Sequence, residues 1–225
     1  MSKPVILIIG ASRGLGLGLT REYLGRGWRV IATIRDTGAR AALPASPDLQ
    51  VEILDIDDGA ALDALRHKLA QETLDVLLVN AGVSGPTDRT AAETEPDEAA
   101  RVFLTNAHSP VRLADALIER VRPGGTLAFL SSILGSNTLN ANGTLEIYRA
   151  SKAALNSLVI SLALRHKQGE QAFLLLHPGW VRTDMGGPNA AIDIETSVRG
   201  LADTIEANAG GGTRYLDYRG QELPW

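Results

Sequence analysis

The chain contains no cysteine. That excludes disulfides, thiol catalysis and thiolate metal sites. Four histidines, His67, His108, His166 and His177, are scattered without metal-ligand spacing, so no metal is expected. Long hydrophobic runs are missing too. The apolar run near the start covers only residues 5–9, far short of a membrane span, and no small-residue cleavage site follows a charged start. Neither sign of charge is in excess. With 22 basic and 26 acidic residues the net charge is -4, which gives no reason to expect nucleic acid or an anionic membrane as a partner. These absences together lead to the expectation of a cytoplasmic protein.

What is present reads as one globular domain. The chain has 225 residues, 44% hydrophobic and 21% charged, long enough for a substantial core. Short apolar runs alternate with helical patterns. Strands are expected at residues 5–9, 28–34, 49–54, 74–79, 126–130, 171–176 and 213–216. Helices are expected at 14–26, 60–71, 96–121, 148–165 and 195–208, with Pro96 in a first turn and Pro123-Gly124-Gly125 as a stop. Such alternation means βαβ units and a parallel sheet covered on both faces, here an α/β doubly wound domain of about seven strands. No linker or low-complexity segment interrupts the pattern. The longest irregular stretches, 81–95, 133–147 and 178–194, each follow a strand. All three should open onto the carboxyl edge of the sheet, where such folds bind ligands.

The first strand runs into Gly10-Ala11-Ser12-Arg13-Gly14-Leu15-Gly16. Glycines permit a tight turn and a close approach of backbone N–H groups to a ligand. The helix start behind them favours an anion, and a dinucleotide pyrophosphate suits the place. The spacing is Gly-x-x-x-Gly-x-Gly, and no Lys-Ser/Thr follows as in a P-loop. Strand two ends Ile34-Arg35-Asp36. Arg35, seconded by Arg13, suits the 2′-phosphate of NADP, whereas Asp36 speaks for the ribose of NAD. NADP(H) is therefore preferred, with NAD(H) left open.

Tyr148 and Lys152 stand four residues apart in a helical pattern, hence on one face. A fixed ammonium beside a phenol favours the phenolate and lowers its pKa from about 10. The chemistry implied is proton transfer at an oxygen.

In order and spacing, these motifs resemble the short-chain dehydrogenase/reductase family over essentially the whole chain. The matching positions are Gly10, Gly14 and Gly16, Asp55-Ile56, Asn80-Ala81-Gly82, Asn106, Ser131-Ser132, Tyr148 and Lys152, and Pro178-Gly179-Trp180-Val181-Arg182-Thr183. Ser131 to Ser136, the tyrosine segment and His177 to Met185 are similar to the branch of C-factor-like and sniffer-like carbonyl reductases, which also favours NADP. The resemblance implies a dinucleotide-binding half at about 1–122 and a catalytic and substrate half at about 123–225.

It also implies roles. Tyr148 is the general acid on the carbonyl oxygen. Lys152 lowers its pKa and holds the nicotinamide ribose, Ser132 orients the carbonyl, and Asn106 holds a water that relays protons to Lys152. Gly10, Ser12, Arg13, Gly14, Leu15 and Gly16 form the phosphate loop. Asp55 and Ile56 contact adenine, and Asn80, Ala81 and Gly82 line the adenine ribose and phosphates. Pro178, Gly179, Val181 and Thr183 lie along the cofactor, with Val181 and Thr183 holding the carboxamide. Leu134, Trp180 and Met185 are expected around the substrate. A homodimer or homotetramer through the helices near 96–121 and 148–166 is implied as well.

Two departures stand out. Ile9 replaces the threonine usual before the first glycine. Ser132 and Tyr148 are 16 residues apart, a few more than is common, and the excess in 136–146 should reshape the substrate pocket. His108 and His177 are expected to be packed or hydrogen-bonded rather than in contact with substrate. Asp184 is expected to cap its loop, and Gly186-Gly187-Pro188 reads as a mobile segment closing over substrate or as a plain surface loop. Two functions stay open: an NADPH-dependent reductase of a ketone, aldehyde or quinone-like carbonyl, and an NADP-binding sensing or signalling protein with little turnover.

Overall fold

A computed structural model describes residues 3–225. Seven strands form a single sheet: β1 (Val5–Ile9), β2 (Arg29–Ile34), β3 (Leu49–Ile53), β4 (Leu74–Val79), β5 (Val121–Leu130), β6 (Ala172–His177) and β7 (Gly212–Asp217). Their order is β3-β2-β1-β4-β5-β6-β7, and every pairing is parallel. The helices are α1 (Gly14–Gly25), α2 (Gly59–Lys68), α3 (Pro96–Phe103), α4 (Ser109–Leu117), α5 (Glu146–Arg165) and α6 (Ile194–Ala207). This is the expected doubly wound arrangement.

Strand alternation divides the core between the two faces of the sheet. In β1, Leu7 and Ile9 join a cluster with Leu65 of α2, Leu113 of α4 and Leu162 of α5. Ile6 and Ile8 point the other way, into a cluster with Leu19 and Tyr23 of α1 and Leu201 of α6. Because both faces of β1 are buried, the strand reads as an unbroken apolar run in the sequence. The chain winds outward in opposite directions from the β1–β4 pair. That pair is the switch point, and the crevice beyond its carboxyl ends is where such sheets take ligands.

Three elements differ from the sequence reading. The helix expected over 96–121 starts at Pro96 but is interrupted by a π-helical turn at Leu104–His108 and gives way to a short 3-10 turn at Ile118–Arg120. Inside the π turn, the Asn106 side chain bonds Val83 and Ser151, and the wider turn gives it room to point inward. Pro123-Gly124-Gly125 does not stop a helix. It lies within β5 as an outward bulge, where the register jumps from Leu74↔Val121 to Val76↔Thr126. Finally, α2 ends at Lys68, with Leu69 as its C-cap, rather than at residue 71.

Candidate active site

At the switch point a groove of about 420 Å³ opens beyond β1, β2, β3 and β4. Gly10, Ser12, Arg13, Gly14, Leu15, Arg35, Asp55, Ile56, Asn80, Ala81, Gly82 and Thr183 all line it. Two glycines set the shape of the loop. Gly10 has φ +87°, and a side chain there would press on Ala81 at 3.0 Å. Gly16 does not line the groove; it lies inside α1, where a Cβ would stand 2.0 Å from the Gly10 carbonyl oxygen. The phosphate loop therefore packs directly on its own helix. Asn80 ties the two sides of the switch point together, its amide donating to the Gly10 carbonyl at 2.5 Å.

The departure at Ile9 is compensated from the neighbouring strand. The Gly10 amide donates to the hydroxyl of Thr33, a buried residue of β2, at 3.0 Å. The sequence offered no pairing that singled Thr33 out. The first amides of α1 have no intrahelical acceptor, and the Arg13 side chain does not cap them. Free amides at a helix start, a floor with few side chains and an exposed Arg35 fit a dinucleotide phosphate. Arg13 itself is engaged in an ion pair with Asp184 at 2.6 Å, which links the phosphate loop to the segment after β6. Asp184 is thus a partner of Arg13 rather than a loop cap.

A second cavity of about 460 Å³ adjoins the groove and shares Leu15, Thr183 and Met185 with it. Ser132, Tyr148, Leu134, Trp180, Pro178, Gly179 and Val181 line this cavity. Three residues placed along the cofactor by resemblance, Pro178, Gly179 and Val181, therefore wall the space beside Tyr148. The side chains of Trp180 and Met185 are largely exposed at its mouth, and the Trp180 indole donates to the Gly186 carbonyl at 2.8 Å. Of the lengthened segment 136–146 only Leu145 reaches the lining. The segment is instead held away by Arg149, which donates to the Thr144 carbonyl at 2.7 Å and to Asn142 at 2.9 Å.

Tyr148 and Lys152 lie on one face of α5, with the Lys152 Nζ 5.8 Å from the centre of the phenol ring. Lys152 is buried and donates to the Leu130 carbonyl at 2.8 Å. Burial lowers its pKa to about 8. Burial likewise pushes the Tyr148 phenol up to about 12, and the facing Ser132 hydroxyl pulls it the other way. From sequence spacing alone the ammonium is expected to lower the phenol. In this site desolvation dominates the phenol. Asn106 stands nearby, since a Cβ on Gly82 would meet Asn106 Oδ1 at 3.2 Å and Lys152 Nζ at 3.6 Å. Its own polar atoms are occupied: Oδ1 accepts from the Val83 amide, and Nδ2 donates to the Val83 carbonyl and the Ser151 hydroxyl.

The two adjacent serines differ in their partners. The Ser131 hydroxyl donates to Asn156 Oδ1 at 2.6 Å and is committed to the protein interior. The Ser132 hydroxyl accepts from the Leu134 amide at 3.2 Å and stays beside Tyr148. Ser132 is also braced from β7, where the buried Tyr215 hydroxyl donates to its carbonyl. Tyr215 stacks on Trp225 at 5.3 Å, and the Trp225 carbonyl accepts from the Thr138 amide and hydroxyl at 3.1 and 2.6 Å. Sequence reasoning missed this brace because its members are 83 residues apart. Both histidines are expected to be packed or hydrogen-bonded; His177 is partly buried and also lines the cavity, whereas His108 is exposed and does not line it.

Residues 4–192 match the model of the short chain dehydrogenase family. C-signal of Myxococcus xanthus is 40% identical over 155 residues, which cover 68% of this chain and 93% of that protein. A short-chain dehydrogenase/reductase from Burkholderia multivorans with bound NADP is similar in structure, with TM-score 0.93, 40% identity and 100% of both chains covered. A carbonyl reductase from Pseudomonas aeruginosa PAO1 in complex with NADP gives TM-score 0.89 at 43% identity, again over 100% of both chains.

Proposed function

The chain belongs to the short chain dehydrogenase family of oxidoreductases, and from that premise we propose that it is an NADPH-dependent carbonyl reductase with Tyr148 as its general acid. The observation that carries this reading is the meeting of three groups. Ser132 and Tyr148 face each other in a cavity that adjoins the phosphate-loop groove, and Lys152 lies buried behind them. Arg35 at the end of β2, and the NADP held by the Burkholderia and Pseudomonas structures, support NADP(H) over NAD(H).

Each residue has a physical part. A phenol held near 12 keeps its proton at neutral pH, which suits a donor to a carbonyl oxygen gaining negative charge. Ser132 offers a second donor to that oxygen and fixes its position. Lys152, with a pKa near 8, is mainly protonated at pH 7 and keeps a positive charge behind the phenol. Its ammonium and the Tyr148 hydroxyl are the groups that would hold the nicotinamide ribose. Asn106 fixes the 82–83 segment against α5 through Val83 and Ser151. The bound nicotinamide dinucleotide supplies the hydride. Leu104, Leu158 and Leu164, exposed near or on α5, support a homo-oligomer built through these helices, which light scattering at micromolar concentration tests.

The 40% identity to C-signal favours a second reading, an NADP-binding sensing or signalling protein with little turnover. Cofactor titration of wild type against Arg35→Ala, followed by a carbonyl panel with the preferred cofactor, separates these. The reductase reading expects Arg35→Ala to weaken NADPH by at least tenfold more than NADH and wild type to reduce members of the panel. NADPH binding with no turnover of any ketone, aldehyde or quinone supports the sensing reading instead.

A further inference from the structure

We propose that His177 is a substrate-contacting residue that donates a hydrogen bond from Nε2 to a second oxygen of the substrate. The preferred substrates are then uncharged carbonyl compounds that carry another acceptor oxygen near the one reduced. This rests on the carbonyl-reductase reading and adds a substrate class to it.

His177 closes β6 just before Pro178 and lines the same cavity as Ser132 and Tyr148. Its Nδ1 is buried without a hydrogen-bond partner among the described residues. Its Nε2 is neither bonded nor enclosed, which leaves it the cavity to face. The acidic group that acts on the ring is Asp217, in register with His177 on β7. Asp217 does not take the imidazole proton. Its Oδ1 accepts from the Arg219 and Gln221 amides, and its Oδ2 accepts from the Arg219 guanidinium. Burial lowers the ring to about 4, against the pull of Asp217, so the ring is neutral at pH 7 and carries one proton. A proton on Nδ1 would be an orphaned buried donor, the rarest kind of unsatisfied group. On Nε2 the same proton is directed at the cavity.

The rest of the lining restricts what can meet that donor. Among the described residues, no Asp, Glu, Lys or Arg lines the cavity. A carboxylate or phosphate on the substrate would enter without a counter-charge, which is costly. The walls are mainly apolar, among them Leu15, Ile133, Leu134 and Leu145, and accept the carbon skeleton. A site built to bond an oxygen rejects an analogue lacking it more strongly than a merely apolar site can.

Three phenyl ketones test the proposal: propiophenone, 1-phenyl-1,2-propanedione and 1-phenyl-1,3-butanedione. The readout is each diketone's kcat/KM divided by that of the monoketone, which cancels loss of folded protein. Mutation of His177→Phe keeps a ring and removes the donor. For at least one diketone the ratio should fall about tenfold from wild type, the size of one lost hydrogen bond. His177→Asn, which retains an N–H, should keep most of the wild-type ratio, and NADPH affinity should not change in either variant. Both ratios unchanged in His177→Phe would overturn the role of His177. Failure of the underlying reading looks different: Tyr148→Phe would then reduce the monoketone as fast as wild type.

Discussion

Lys152→Met should make this protein more stable at neutral pH and less stable at high pH. The burial that places Lys152 behind the phenol lowers its pKa from 10.5 to about 8. That interval, at about 1.36 kcal/mol per pH unit, is a cost of about 3 kcal/mol for keeping the ammonium folded. Below pH 8 the lysine is charged in both folded and unfolded chains, and the full cost is present. Between about 8 and 10.5 the unfolded chain binds more protons, so wild type gains stability as pH rises. Above 10.5 the cost is gone. Methionine never incurs it but leaves the Leu130 carbonyl without its donor, a loss of about 1–3 kcal/mol. The variant should therefore be about 1–2 kcal/mol more stable at pH 7 and less stable by a similar amount at pH 10.5. The swing, about 3 kcal/mol, corresponds to roughly 6–12 °C in relative melting temperature for a chain of this size. Urea denaturation of both proteins at the two pH values, followed by tryptophan fluorescence, measures it. A stability difference that does not change with pH would refute the reasoning.

Other expectations follow from single contacts. Gly16→Ala forces a Cβ to within 2.0 Å of the Gly10 carbonyl and 2.6 Å of Asn80 Nδ2, so NADPH binding by fluorescence titration should be lost or weakened at least a hundredfold. Tyr215→Phe keeps the stack on Trp225 but removes the donor to the Ser132 carbonyl. It should cost about 1 kcal/mol in urea denaturation and lower kcat severalfold with NADPH affinity unchanged. Thr33→Val leaves the Gly10 amide without its acceptor and should weaken NADPH in the same titration by about fivefold to tenfold, with the fold retained by circular dichroism.

Much of this architecture was legible because both faces of the sheet are buried. A strand covered on both faces is apolar over most of its length, as β1 is and as β4 is apart from Asp75, which made both readable to the residue. The groove was legible for a similar reason, since only glycine fits at Gly10 and Gly16. The π turn was not, because it depends on where Asn106 finds partners in Val83 and Ser151, a tertiary fact with no local signature. Pro123-Gly124-Gly125 misled because a breaker of helices also makes a strand bulge, and only pairing with β4 decides between them. Thr33, Tyr215 and the Arg13–Asp184 pair were out of reach, since each acts on a segment distant in the chain. The sign for the Tyr148 phenol was missed because sequence spacing reports the neighbouring ammonium but not the depth of burial.

The central claim is that the Tyr148 hydroxyl delivers the proton to a substrate carbonyl. The most direct measurement is single-turnover reduction of a panel ketone by NADPH-loaded Tyr148→Phe, beside an NADPH titration of the same variant. NADPH affinity within about tenfold of wild type, the most that one lost ribose hydrogen bond removes, and a chemical step slowed by about 10²–10⁴ is the predicted result. A step within tenfold of wild type, with cofactor bound, would contradict it.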